Sequence, residues 1–315
     1  MFVVGGESLI DLVSEPRGPG GTIHMTAHQG GSPYNCAIAL SRLGNDTGYL
    51  CPISKDGFGS YLMEPLAEAG VYLLLPERVA APTTLAVVTL DQEGKAQYEF
   101  YRGADRALTI NEGVAALPEQ LNLFQVGGFC PIEREDAAVW LEVVKAAIAR
   151  GATISIDPNV RPTLVNDPQG YRERLSRFLD LSHIIKVSEE DLAWLDGSKS
   201  IEAHAAGLLD RANCELVVVT RGEKGSRAFT HGGLAEAGIY RSDVFGDTVG
   251  AGDSLMAGVL TWLGEQEALV PGKLTRLDDV ALGKMLEFGA VVAGLNCARK
   301  GCQPPTRRQV EAVLA

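Results

Sequence analysis

The feature that most restricts the fold is a regular alternation of short apolar segments with amphipathic helical patterns, which begins near Thr153. Segments such as 153–156, 183–187 and 216–220 have the length of strands and are bounded by turn-forming residues. The stretches between them carry apolar residues at the helical period, as 201–211 does. This order predicts an α/β fold with a mainly parallel central sheet and helices on both of its faces.

The N-terminal third of the chain is less regular, because its strand-like segments are separated by helical stretches and glycine-rich turns. A turn at 92–95 suggests a hairpin. We expect segments around 9–30 and 84–105 to form a small β-sheet that covers the ligand as a lid, although these strands could equally join the main sheet. The chain is predicted to be one domain over residues 1–315. The strand-like segments of this region are 9–13, 22–24, 84–90 and 97–101.

The charge of the chain limits its partners. The formal net charge is −12 at pH 7, which disfavours non-specific binding to nucleic acid or to an anionic membrane. An anionic cosubstrate must therefore be bound by local basic groups or by backbone N–H donors. The N-terminal residues lack a basic region, and no apolar run approaches the length of about 18 residues that a membrane span needs. We expect a cytoplasmic protein.

One glycine-rich turn near the C-terminal end has the features of an anion site. Residues 247–253 read Asp-Thr-Val-Gly-Ala-Gly-Asp and lead directly into an apolar helical segment. Glycines let a ligand approach the backbone, and the free N–H groups and the dipole of a helix N-terminus attract a phosphoryl group. Asp253 would lie beside that anion, where a carboxylate is useful as a general base. The residues alone leave open a simpler interpretation, in which Asp247 caps the helix and the glycines serve packing only.

Two segments near the N-terminus are candidates for binding a polar small molecule. Gly30 and Gly31 precede a helical segment, and Asn35 offers both a donor and an acceptor. Asp11 interrupts an apolar run, where its carboxylate suits vicinal hydroxyls. The alternatives are an ordinary helix start, with Ser32 as the N-cap and a proline at the first position, and a turn role for Asp11.

A further candidate segment follows a predicted strand late in the chain. Thr220 ends the apolar run, and Gly222 and Gly225 form a Gly-x-x-Gly turn. Such a turn lets a flat base or a phosphate lie against the backbone. A plain hairpin between two strands explains the same residues.

Taken in their order along the chain, these segments resemble the PfkB, or ribokinase-like, family of carbohydrate kinases. Gly30 and Gly31, followed by Asn35 and Gly44, are similar to the first family signature, and 247–253 are similar to the second, Asp-Thr-x-Gly-Ala-Gly-Asp. The resemblance covers nearly the whole chain and implies a ribokinase-like fold with a small β-sheet lid. It also implies an ATP- and Mg²⁺-dependent kinase whose partners are a sugar and ATP, and which forms a homodimer.

The resemblance implies a role for each motif residue. Asp253 would be the catalytic base, and Gly250, Ala251 and Gly252 would form the anion hole for the transferring phosphoryl group. Sugar hydroxyls would be held by Asp11, Gly30, Gly31 and Asn35. The ATP site would be lined by Lys186, Ser188, Thr220, Gly222, Gly225 and, beside the adenine, Asn296.

Metal ions would be bound at two places if the resemblance holds. Asp247 and the carbonyl of Val249 would face a monovalent cation, typically K⁺. Family members often carry Asn-x-x-Glu after a central strand for Mg²⁺ and its waters, whereas this chain has Ser-Glu-Glu-Asp from Ser188 to Asp191. Asp191 is therefore the candidate residue for Mg²⁺, with a side chain that is one methylene shorter than the usual glutamate.

Two arginines bear on the identity of the sugar. The Tyr-Arg-Gly-Ala-Asp segment around Arg102 and the Asp-Pro-Asn-Val-Arg segment ending at Arg161 resemble segments of fructokinases and of 2-keto-3-deoxygluconate kinases. Arg102 could bind a ketose hydroxyl or a sugar-acid carboxylate, or simply face solvent, and Arg161 could position the substrate or the γ-phosphate. The resemblance favours a fructokinase. The alternatives are a 2-keto-3-deoxygluconate kinase, another ketose or nucleoside kinase of the family, and a catalytically silent sugar-binding protein.

Overall fold

The computed structural model describes residues 1–15, 21–90 and 96–315. The predicted turn at 92–95, and residues 16–20 of the predicted lid, lie outside the described residues. The strands are β1 (Phe2–Gly5), β2 (Leu9–Ser14), β3 (Met25–Gly30), β4 (Thr47–Leu50), β5 (Tyr72–Leu73), β6 (Leu85–Leu90), β7 (Ala96–Tyr101), β8 (Leu123–Gly127), β9 (Thr153–Asp157), β10 (Ile184–Ser188), β11 (Leu216–Thr220), β12 (Ser226–Phe229) and β13 (Leu234–Ala237). The α-helices are α1 (Ser32–Arg42), α2 (Gly57–Ala69), α3 (Ile110–Ala116), α4 (Arg134–Ala149), α5 (Pro168–Leu181), α6 (Glu189–Asp196), α7 (Ile201–Leu209), α8 (Ala251–Glu265), α9 (Asp279–Cys297) and α10 (Arg307–Leu314).

The large sheet has the strand order β13-β12-β11-β10-β9-β8-β1-β4-β5. The strands from β11 to β5 pair in parallel, and β12 and β13 add an antiparallel edge. Alternate residues of a strand enter two different cores, so that Leu216 and Val218 pack with α8 and α9 while Val217 and Val219 pack with the helices of the other face. The predicted mainly parallel sheet with helices on both faces is confirmed.

The small sheet is separate and has the order β3-β2-β6-β7. Its inner strands β2 and β6 are parallel, and each outer strand is antiparallel to its neighbour. The prediction of a small sheet apart from the main one is confirmed, but the strand predicted at 22–24 is wrong. The strand lies at Met25–Gly30 instead, because these residues pair with β2 along its whole length. That the chain acts as one domain with a lid at 9–30 and 84–105 stays a prediction.

Among the described residues, one helix is long and apolar enough to cross a membrane. It is α9, which has 19 residues and a mean hydropathy of 1.4 over its most apolar window. More than half of that window, 56%, is buried inside the protein. Helix α9 also supplies Leu282, Met285, Leu286 and Val292 to the core beneath the large sheet, so we interpret it as a core helix.

Candidate active site

Asp253 lies buried in the first turn of α8, where the N-termini of α8 and α1 meet. It is 7% exposed, and its carboxylate accepts hydrogen bonds from Ser32 Oγ (2.6 Å) and Asn35 Nδ2 (2.9 Å). Burial raises the pKa of Asp253, although the bonds from Ser32 and Asn35 and the charges of Lys186 and Arg161 oppose that rise. A positioned carboxylate whose pKa is raised is suited to accept a proton from a substrate hydroxyl.

The turn before Asp253 presents backbone N–H groups at the positive end of a helix. Gly250 has a φ of +71°, which favours glycine, and a side chain there would collide with Cys302. Because α8 begins at Ala251, the amides of Gly250, Ala251 and Gly252 lie where the helix dipole attracts an anion. The alternative in which Asp247 caps α8 is wrong, since Gly250 occupies the cap position and no side chain bonds there. The role of this turn as an anion hole stays a prediction.

Asp247 instead connects the turn to the segment that follows α9. Its carboxylate accepts hydrogen bonds from the backbone N–H groups of Val249 (2.9 Å) and Gly301 (2.7 Å). Asn296 in α9 donates to the Val249 carbonyl (2.7 Å) and accepts from the N–H of Gln303 (2.8 Å). Each predicted monovalent-cation ligand thus accepts hydrogen bonds within the protein and keeps a free lone pair. The cation role of Asp247 and Val249 stays a prediction.

The predicted contact of Asn296 with the adenine base needs correction. Asn296 is fully buried, and both ends of its side-chain amide bond backbone groups. A side chain without exposed surface cannot lie against a base, so Asn296 holds the glycine-rich turn in place. The sequence did not show this, because the partners of Asn296 belong to two different loops.

The predicted sugar-binding residues Asp11, Gly30 and Gly31 lie where the small sheet reaches α1. A side chain on Gly30 would collide with the Asp11 carboxylate. Gly31 has a φ of +111°, so a side chain is strained there as well. Burial raises the pKa of Asp11, whereas the charge of Arg161 lowers the pKa of both Asp11 and Asp253. Arg161 is exposed, and the contacts of these residues with a sugar stay predictions.

Arg102 is committed to an ionic cluster at the base of the small sheet. Its side chain is 10% exposed and donates to Asp105 Oδ2 (2.8 Å) from Nε and to Asp136 Oδ2 (2.6 Å) from a terminal nitrogen. Asp105 also accepts a hydrogen bond from the side chain of Thr84, which precedes β6, and the Arg102 guanidinium lies 5.1 Å from the ring centre of Phe129. The suggestion that Arg102 faces solvent is wrong. These contacts explain the position of Arg102 without a substrate, and its contact with substrate stays a prediction.

We expect Arg102→Lys to lower the free energy of unfolding by about 1–2 kcal/mol, because lysine cannot bond Asp105 and Asp136 with a planar fork. The KM for sugar should change little. Urea unfolding and steady-state kinetics measure both effects. Arg172→Lys is the control, since Arg172 stacks on Trp194 and donates to its carbonyl rather than to Asp105 or Asp136. A large rise in KM with unchanged stability would instead identify Arg102 as a substrate contact.

The predicted nucleotide turn lies between β11 and β12. Thr220 ends β11, and Gly222 and Gly225 have φ values of +55° and +84°. A side chain on Gly225 would collide with the backbone of Ala237. The alternative of a hairpin is confirmed, because β11 and β12 pair antiparallel across this turn. The hairpin is compatible with nucleotide binding at its open backbone, which stays a prediction.

Lys186 and Asp157 form a buried ion pair between neighbouring strands, with Asp157 at the end of β9 and Lys186 within β10. Lys186 Nζ donates to Asp157 Oδ2 at 2.7 Å, and the two side chains are 6% and 4% exposed. Burial raises the pKa of Asp157 to about 6, although Lys186 opposes the rise. Asp157 lines a narrow cleft together with Ser32 and Asp253. The predicted ATP-site residue Lys186 is thus close to the candidate base.

Ser188 and Asp191 cap α6. Ser188 Oγ accepts from the Asp191 N–H (3.0 Å), and the Asp191 carboxylate accepts from the N–H groups of Ser188 (2.8 Å) and Val160 (2.8 Å). Among the described residues, no group of three or more His, Cys, Asp or Glu side chains could hold a metal ion. Asp191 is 6% exposed, and each of its carboxylate oxygens already accepts one of these backbone N–H bonds. Mg²⁺ commonly uses only one or two protein carboxylates and several waters, and the role of Asp191 toward Mg²⁺ stays a prediction.

Two residues of this region were missed as site residues from the sequence. Ser32 was considered only as a possible helix cap, but the cap position of α1 is Gly31, and the Ser32 hydroxyl bonds Asp253. Asp157 was noted only within the segment that ends at Arg161. Its place at the end of a strand was a signal, because carboxyl ends of parallel strands form the ligand-binding edge of such sheets.

Comparison with known proteins gives consistent matches. A family model described as pfkB family carbohydrate kinase matches residues 1–308. The chain is 33% identical over 292 residues to the fructokinase of Klebsiella pneumoniae, with 89% of each protein covered. It is 30% identical over 325 residues to probable fructokinase-4 of Arabidopsis thaliana, which covers 100% of this chain and 96% of the relative. The crystal structure of a Xylella fastidiosa fructokinase with bound ATP has a TM-score of 0.86 and 26% identity, over 99% of this chain and 97% of that one.

Proposed function

We propose a substrate and a reaction for this chain, which belongs to the pfkB family of carbohydrate kinases. The reaction is the transfer of the γ-phosphoryl group of ATP to fructose, which gives fructose 6-phosphate and ADP. The observation that carries the proposal is the Asp253 carboxylate, buried in the first turn of α8 and oriented by Ser32 and Asn35. This position places a candidate general base, Asp253, beside the backbone N–H groups at the N-terminus of α8, which suit an anion. The choice of fructose is supported by relatives that are named fructokinases.

In this reaction Asp253 accepts the proton of the sugar hydroxyl. The hydroxyl oxygen forms a bond to the γ-phosphorus while the bond from that phosphorus to the bridging oxygen of ADP breaks. The N–H groups of Gly250, Ala251 and Gly252 stabilise the charge on the phosphoryl group, and Asn296 holds the turn that carries them through its bond to the Val249 carbonyl. The N–H of Ala251 donates to the Thr248 carbonyl (3.2 Å) and would share or exchange this bond when the anion binds.

The remaining predicted residues would bind the two substrates. Asp11, Gly30, Gly31 and Asn35 hold sugar hydroxyls, and Arg161 bears on either the sugar or the γ-phosphate. Thr220, Gly222 and Gly225 lie against the nucleotide. Arg102 would act on sugar only through its remaining donors, since Asp105 and Asp136 occupy the others.

The cofactor assignments are part of the proposal. ATP enters with Mg²⁺, which neutralises charge on the phosphates, and Asp191 is the candidate for bonding its waters. Asp247 and the Val249 carbonyl are proposed to face K⁺. A homodimer and a cytoplasmic location also stay predictions for this chain.

The test is ATP consumption by the purified protein with Mg²⁺ and K⁺ against fructose, 2-keto-3-deoxygluconate, ribose and adenosine. We expect the highest kcat/KM with fructose, and phosphoglucose isomerase should convert the product to glucose 6-phosphate. A preference for the keto-acid would identify a 2-keto-3-deoxygluconate kinase and keep the role of Asp253. Absence of turnover with all four would contradict the proposed reaction and favour a rarer sugar or a silent binding protein.

A further inference from the structure

Asp157 is a buried carboxylate that is connected to the glycine-rich turn through Lys186. It ends β9, and Lys186 lies in the adjacent strand β10. Its Oδ2 atom accepts the bond from Lys186 Nζ, whereas Oδ1 has no hydrogen-bond partner in the described part of the chain although it is buried. Because the Asp157 carboxylate bonds only Lys186 among the described residues, its structural contribution is limited to holding that ammonium.

The Lys186 ammonium lies against the N-terminus of α8. A Cβ built on Gly252 would be 3.1 Å from Lys186 Nζ, so the ammonium occupies the space beside this glycine. Gly252 belongs to the first turn of α8 and immediately precedes Asp253. The positive group therefore lies within a few ångströms of the place where the α8 amides face an anion.

The electrostatics of this position explain why a carboxylate is needed. The ammonium and the N-terminus of α8 are both positive, so they repel each other until an anion binds. Burial also disfavours the charged amine, yet Asp157 first and then Asp191 hold the pKa of Lys186 above its usual value. Without Asp157, the amine would lose its only hydrogen-bond partner among the described residues.

We propose that Asp157 is a positioning residue that holds the Lys186 ammonium at the N-terminus of α8, where Lys186 stabilises the phosphoryl group during transfer. The inference rests on the proposed kinase function. Lys186 then contacts the transferred phosphoryl group rather than another part of the nucleotide. Asp157 contributes to the reaction only by positioning Lys186. A merely structural ion pair would affect folding and leave turnover intact.

The test is a double-mutant cycle of Asp157→Asn and Lys186→Met. We expect Lys186→Met to lower kcat by about 10²-fold or more, the usual loss when one donor to a developing anion is removed. Asp157→Asn should lower kcat by about 10-fold with KM for sugar nearly unchanged, because only transition-state stabilisation is reduced. The double variant should be no slower than Lys186→Met, since Asp157 has nothing left to position.

Two results would overturn the proposal. One is a normal kcat for Asp157→Asn in protein that is folded by circular dichroism. The other is a double variant whose loss equals the product of the two single losses, which would mean independent roles. Glu215→Gln is a matched control, because it also alters a buried carboxylate. Glu215 immediately precedes β11, whereas Asp157 is the last residue of β9, and Glu215 accepts hydrogen bonds from the N–H groups of Gly272 and Leu274. Its kcat should equal that of the wild type.

The cycle does not depend on the identity of the sugar. If another sugar is preferred, fructose fails as the substrate, and the same three variants are compared with the preferred sugar. Hydrolysis of ATP in the absence of sugar gives a further comparison, because water then attacks the same phosphoryl group. Calorimetry measures the affinity of each variant for ATP. A loss in kcat that exceeds the loss in ATP affinity supports a role in turnover, whereas equal losses indicate a role in binding alone.

Discussion

Asp253→Asn is expected to lower kcat by about 10²- to 10⁴-fold, the contribution typical of a positioned general base. Asparagine has the shape of aspartate and can still exchange hydrogen bonds with Ser32 and Asn35, so the turn and α8 should remain in place. It cannot accept the proton of the sugar hydroxyl. Steady-state kinetics should show the loss in kcat, and calorimetry should show nearly unchanged binding of ATP.

The pH dependence of the wild-type enzyme gives a second view of the same residue. A general base works only when it is deprotonated, and burial raises the pKa of Asp253. The kcat should therefore fall on the acidic side at a higher pH than an ordinary aspartate would give. Ser32→Ala is the control, because removing the bond from Ser32 should move this limb to still higher pH without abolishing activity. Near-normal turnover of Asp253→Asn would exclude the mechanism.

The fold could be predicted from the sequence to a large extent because its signals are local. The strands of the large sheet are short apolar runs between turns, and their helices show the helical period within single segments. The glycine-rich turn of Gly250 and Gly252 was recognisable for the same reason, since seven consecutive residues carry it. The start of β3 was misjudged because pairing with β2, rather than local preference, sets its limits.

The contacts that complete the candidate site could not be predicted, because they join distant segments. Ser32 and Asp253 are 221 positions apart, and Lys186 and Asp157 belong to different strands. Asn296 illustrates the same limit, since a family motif indicated the region but not that its amide is used by two loops. Arg102 is a further case. Its pattern indicates a cation at the edge of the small sheet, while Asp136 in α4 determines where that cation points.

Glu7→Gln is expected to stabilise the protein, and increasingly so as the pH rises. Glu7 follows β1, is 4% exposed, and accepts a hydrogen bond from the Phe129 N–H (2.8 Å). Burial raises its pKa to about 7, with a smaller contribution from Asp105, whereas the bond from Phe129 and the charge of Arg102 oppose the rise. A glutamine in its place would keep the shape of the side chain and an oxygen for the Phe129 N–H, but it would carry no charge to bury.

The direction of this pH dependence follows from the protons that Glu7 binds in the folded and unfolded states. The unfolded chain releases the Glu7 proton near its ordinary pKa of 4.5, whereas the folded protein keeps it up to about pH 7. The stabilising effect of this bound proton is complete below pH 4.5 and is lost as the pH rises to 7. A difference of this size corresponds to about 3 kcal/mol. Urea unfolding should therefore show Glu7→Gln more stable than the wild type by about 3 kcal/mol at pH 8 and by about 1 kcal/mol at pH 5.

Asp56→Asn supplies the matched control, since its pKa is shifted in the opposite direction. Although burial opposes it, hydrogen bonds from Thr83 and Gly59 lower the pKa of Asp56 to about 2. Asp56 is therefore charged in both states above pH 5, and its replacement should destabilise the protein by a constant amount between pH 5 and pH 8. A Glu7→Gln difference that is equally flat would mean that Glu7 is ionised in the folded protein. A difference that grows with pH for Glu7→Gln alone would show that the buried Glu7 carboxyl, which accepts the Phe129 N–H, keeps its proton in the folded protein.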